Sequence, residues 1–127
     1  MNNEDARSTD GTCFISYNKG HMEIVNKGID AISEVLYGTD MAEKESLLYC
    51  LDRYLDPWFG LKLPFEKELF ELFQYVLISP NAMSVKEEAL FLLENYSWPP
   101  FPILENNLDK IEPELMEGVE YVINMGA

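Results

Sequence analysis

The chain has 127 residues, a length that suits one domain, and 47% of them are apolar, enough to bury a core and exclude wholesale disorder. It carries 23 Asp and Glu against 9 Lys and Arg, a net charge of -14. Such a surface repels phosphate backbones and anionic lipid, which argues against nucleic-acid and membrane partners.

Residues 1–20 are rich in Asn, Asp, Ser, Thr and Gly and read as a polar tail or arm, with Cys13-Phe14-Ile15-Ser16-Tyr17 as a stretch that could dock. The sequence shows no basic, then apolar, secretory leader, so the cytoplasm is the expected location. Asn95-Tyr96-Ser97 matches a glycosylation acceptor by accident on that view. From His21 the pattern turns helical: Met22, Val25, Ile29, Ile32 and Leu36 line one face, and Gly38 closes a single helix. Asp40 followed by Glu43 is a capping-box pattern for a second helix running to about Leu55, with Leu47, Leu48, Leu51 and Leu55 turned inward. Pro57 and Gly60 end it.

Pro64 suits the first turn of a third helix, whose apolar stripe is Phe65, Leu69, Leu72, Phe73 and Val76, widened by Phe70 and Leu77. Its apolar run is broken by Glu71 and Gln74 and falls short of the roughly 20 residues a membrane span needs. Ser79-Pro80-Asn81 breaks the pattern, and Ser84 with Glu87 is a second capping box for a helix reaching about Tyr96. Pro99-Pro100-Phe101-Pro102 makes a stiff loop, a short helix is expected near Leu104 to Leu108, and Pro113 opens a last helix through Leu115, Val119 and Val122. No segment alternates with period two, so no sheet is expected beyond the possible arm.

Comparing the chain with itself reveals a repeat. Lys44 to Tyr54 lies over Lys86 to Tyr96 at an offset of 42 residues, with lysine, glutamate, two leucines and tyrosine identical, and Pro57 lies over Pro99. Glu68-Leu69-Phe70-Glu71 lies over Glu114-Leu115-Met116-Glu117, and Tyr75-Val76-Leu77-Ile78 over Tyr121-Val122-Ile123-Asn124, at an offset of 46. Identities at positions read as outside the core, such as Lys44 and Lys86, argue against chance similarity of two leucine-rich helices. A period of this size with two helices per unit falls in the HEAT and armadillo range. The expected fold is therefore all-α, a short α-solenoid of about two and a half HEAT-like antiparallel helix pairs over residues 21–127.

Signals for catalysis are absent. His21 is the only histidine, so no Ser-His-Asp set can be assembled, and no phosphate loop, His-Glu-x-x-His pattern or EF-hand spacing occurs. Cys13 and Cys50 are too few for a disulfide scaffold or a structural zinc site, and Cys50 reads as a small core hydrophobe. No catalytic residue, metal or cofactor is expected.

The helix from Asp40 to Leu55 turns Glu45, Tyr49, Asp52 and Asp56 away from its leucines, and the matching set at the repeat offset is Glu87, Phe91, Glu94 and Trp98. Each face is either solvated charge with a half-buried ring or a binding surface of aromatic anchors ringed by carboxylates for a basic partner. Asp56-Pro57-Trp58-Phe59-Gly60 and Ser97-Trp98-Pro99-Pro100-Phe101 both set large aromatics beside prolines. These rings either cap the core or dock a protein.

Through Lys44 to Tyr54, Lys86 to Tyr96, the Pro-aromatic loops and Tyr121-Val122-Ile123, the chain resembles small, acidic, all-helical, HEAT-like immunity proteins. These accompany bacterial polymorphic toxins, including contact-dependent growth inhibition systems. The resemblance implies a protein that neutralises a cognate toxin domain with a basic surface, such as a nuclease cleft. It carries no catalytic residue over to this chain. A HEAT-like adaptor binding a host protein or peptide is the alternative.

Overall fold

A computed structural model describes residues 17–125. Among the described residues there are seven α-helices, two short 3-10 turns and no strand, so the all-α expectation holds. The Cys13 stretch, apart from Tyr17, lies outside the described residues. No helix among them is long and apolar enough to cross a membrane. The chain divides into two compact units, Met1–Pro64 and Phe65–Ala127.

The first unit holds α1 (Lys19–Lys27), α2 (Ile29–Leu36) and α3 (Met41–Leu55), packed against one another. The single helix expected from His21 to Leu36 is two helices. Gly28 separates them at a φ of 112°, a conformation that L side chains rarely adopt. Its N–H closes α1 on the Val25 carbonyl (3.1 Å), and its own carbonyl accepts from Ile32 (3.2 Å) to open α2. Helix α1 also starts two residues before His21, so the expected boundary at residue 20 falls inside it. Asn18 caps α1, its side chain accepting from Gly20 (2.9 Å) and His21 (3.4 Å).

Buried His21 completes that cap in the role usually taken by Glu: its Nδ1 accepts the Asn18 backbone N–H at 3.1 Å. With Nδ1 accepting, the neutral ring carries its proton on Nε2, which faces Glu43 Oε1 at 3.1 Å. Glu43 is thus turned to His21, and only half of the Asp40 capping box forms, Asp40 Oδ1 accepting the Glu43 N–H at 3.1 Å. Leu47, Leu48, Leu51 and Leu55 are buried as expected, with Cys50 and Tyr54. Each such aliphatic side chain contributes roughly 1.5–3 kcal/mol.

The second unit holds α4 (Glu66–Ile78), α5 (Met83–Tyr96), α6 (Pro102–Glu105) and α7 (Pro113–Ile123). Helix α4 packs on α5 and α6, and α7 on α5 and α6. Pro64 stands outside α4, which begins at Glu66 after Phe65, whose carbonyl accepts from Leu69 (2.9 Å). The Ser84 capping box does not form, because α5 starts at Met83 and places Ser84 inside its first turn, with the Ala82 carbonyl accepting from Val85 and Lys86. The short helix lies at Pro102–Glu105 rather than Leu104 to Leu108, followed by a 3-10 turn at Leu108–Lys110. It starts there because the buried Gln74 side chain accepts from the N–H groups of Ile103 (3.1 Å) and Leu104 (3.3 Å). Helix α7 crosses α5 closely: a Cβ added at Gly118 would meet Leu90 at 2.8 Å.

The two matched segments share a burial pattern. Along α3 and α5 the pairs Lys44/Lys86, Leu47/Ala89, Leu48/Leu90, Cys50/Leu92 and Leu51/Leu93 are buried and Tyr49/Phe91 exposed. Along α4 and α7, Leu69/Leu115, Phe73/Val119 and Val76/Val122 are buried, with Tyr75/Tyr121 exposed. Lys44 and Lys86 are therefore not outside the core. Lys86 Nζ reaches Glu112 Oε2 at 3.3 Å, so the buried stem ends on a partly exposed carboxylate. The boundary between the compact units falls between α3 and α4, inside the first matched segment.

Candidate protein-binding surface

The expected surface residues are placed by helix register and by the turns that follow each helix. On α3, Tyr49 is exposed, while Glu45 and Asp52, one turn to either side, are half-buried. Asp56, beyond the C-terminal end, is half-buried too, and its carboxylate accepts the Trp58 N–H at 2.9 Å. That bond starts the 3-10 turn Pro57–Phe59 and lifts Trp58 into solvent, where it is 85% exposed. Arg53 lies 4.7 Å from the centre of the Phe59 ring and donates to the Tyr17 hydroxyl at 3.1 Å.

On α5, Glu87, Phe91 and Glu94 are all exposed, and Trp98, two residues past the helix end, is 69% exposed. The Pro-aromatic rings differ in burial. Phe101 is buried, fixed at the start of α6 by its N–H bond to the Glu105 carboxylate (3.0 Å), whereas Trp58, Phe59 and Trp98 face solvent.

Trp98 lines two clefts of the second unit. One, of about 500 Å³, is bordered by Glu66, Lys67, Glu71, Pro100 and Phe101 among others. The other, of about 440 Å³, is bordered by Trp98, Glu120, Tyr121, Asn124 and Met125. Glu120 and Tyr121 were not singled out as surface residues by the sequence. The repeat register carried the signal, since Tyr121 lies over Tyr75 and both are exposed.

Burial pushes the Cys50 thiol up to about 12, with the Arg53 charge opposing the shift. A thiol held in that state is a poor nucleophile. Tyr54 is raised in the same sense, first by burial and then by Cys50. Among the described residues no group of three or more His, Cys, Asp or Glu side chains stands where it could hold a metal ion. No family model matches the chain, and neither a curated protein nor a solved structure matches it.

Proposed function

We propose that this chain is an immunity protein that acts in the cytoplasm, where it binds and neutralises a cognate bacterial toxin domain with a basic surface. The observation that carries the reading is the pairing of exposed Trp58 and Trp98 with the carboxylates of α3 and α5 in a chain of net charge -14. Charge of that size accelerates encounter with a basic cleft, and aromatic side chains that become buried on docking slow dissociation. The shared burial register of the two matched segments supports a HEAT-like origin for the helices that present these residues.

Co-expression tests it. A tagged chain is produced beside the C-terminal domain of the protein encoded immediately upstream. A stable one-to-one complex that protects cells from that domain is the expected result. Neither complex nor protection, with several weaker basic partners captured at low salt instead, would replace the reading by an adaptor.

A further inference from the structure

Two exposed aromatics of the second unit stand together. Trp98 and Tyr121, 69% and 60% exposed, line the same cleft of about 440 Å³. The lining includes one carboxylate, Glu120, and no lysine or arginine. The neighbouring cleft differs, because Lys67 accompanies Glu66 and Glu71 there. The first cleft also lies at the C-terminal end of α7, where the last carbonyls carry partial negative charge. Asn124, the residue that ends α7, is anchored by its Nδ2 donating to the Glu120 carbonyl at 2.8 Å, which leaves an amide oxygen as a positioned acceptor. Met125 adds an adaptable apolar wall.

Two aromatic rings, a carboxylate, an amide oxygen and a helix C-terminus all favour a cation over an anion or a neutral group. A planar guanidinium suits them better than an ammonium, since it stacks on aromatic faces, pairs with a carboxylate through two donors and sheds water more readily. We propose that the cleft between Trp98 and Tyr121 seats one arginine side chain of a protein partner against the Glu120 carboxylate. This deepens the immunity reading and rests on it for the partner's being a protein. It adds to the α5 surface a pocket that selects one residue of that partner.

The test is a titration of the full chain, labelled with nitrogen-15, with N-acetyl-L-arginine amide followed by NMR. The indole N–H of Trp98 and the side-chain amide of Asn124 should shift saturably, while the indole N–H of Trp58 stays in place. The uncharged isostere N-acetyl-L-citrulline amide should leave all three in place. Glu120→Gln and Trp98→Leu should each weaken arginine binding roughly fivefold or more with the helical circular-dichroism signal unchanged. No shift with arginine, equal shifts with citrulline, or unchanged binding in both variants would overturn the proposal. The Glu120 variant separates it from the immunity reading. A captured toxin domain that binds Glu120→Gln as tightly as the unaltered chain would refute the arginine pocket alone. Saturable arginine binding in a chain that captures and neutralises no toxin would support the pocket and refute immunity.

Discussion

Helices α3 and α5 bury the same positions from Lys44 and Lys86 to Leu51 and Leu93, yet their ends are decorated differently. In the first unit Asp56 follows α3, accepts the Trp58 N–H at 2.9 Å and starts a 3-10 turn. In the second unit the matching position is Trp98 itself, ahead of its proline rather than behind it, and it lines two clefts. The same contrast recurs between α4 and α7. Gln74 is buried and caps α6, whereas its counterpart Glu120 is exposed and borders a cleft. Shared apolar positions build the matched helices, and Asp56/Trp98 and Gln74/Glu120 are places where their surroundings part.

Breaking the shared part should cost most. Leu51→Ala and Leu93→Ala, both fully buried and equivalent, should each destabilise the chain by roughly 2–5 kcal/mol in chemical denaturation. A change within about 0.5 kcal/mol at either site would show that the matched burial does not mean matched packing. The divergent pair comes next. Gln74→Ala leaves two N–H groups of α6 without their acceptor and should cost roughly 1–3 kcal/mol. Glu120→Ala should stay within about 0.5 kcal/mol, so equal losses would erase the distinction between cap and surface.

Gly28 has no counterpart in the second unit. Gly28→Ala forces a side chain into a φ of 112° and should cost about 1 kcal/mol or more, read from the thermal midpoint. A further effect is a pH dependence confined to the first unit, where Cys50 stands in place of Leu92. The folded thiol is raised from an ordinary value of 9.0 to about 12, so between those values the folded chain holds a proton that the unfolded chain has lost. Stability from this group is complete below pH 9 and falls as pH rises toward 12. In a Cys13→Ser background, denaturation at pH 8 and pH 10 should show a loss of about 1 kcal/mol that Cys50→Ala removes.

Much of the fold was legible because apolar spacing and proline position act locally. The inward leucines of α3 and the Pro113 start of α7 follow from three-and-four spacing and from a residue that needs no N–H partner. What was missed depends on contacts distant in sequence. Glu43 leaves its capping box because His21, 22 residues away, offers a partner. Gln74 interrupts an apolar run yet is buried, because α6 supplies two donors 29 and 30 residues on. Lys86 is buried because Glu112 receives its ammonium. The Gly28 break was the one miss with a local signal, a glycine within the helical pattern. Of the surface, the acid–aromatic spacing pointed to Tyr49, Phe91 and Trp98 and the Pro-aromatic loop to Trp58, whereas the cleft at Tyr121 depends on the packing of the second unit.

On the proposed function, the acidic, aromatic faces of α3 and α5 each bear on a basic toxin domain. The most direct measurement is the association and dissociation kinetics of the captured toxin domain with the unaltered chain and two variants. One variant carries Lys in place of Glu45, Asp52, Glu87 and Glu94, and the other carries Ala in place of Trp58 and Trp98. Charge reversal should slow association by roughly tenfold or more at low salt, with the difference shrinking as salt is added and helicity unchanged. Loss of the tryptophans should instead raise the dissociation rate. Rates unchanged from those of the unaltered chain in both variants would contradict the account.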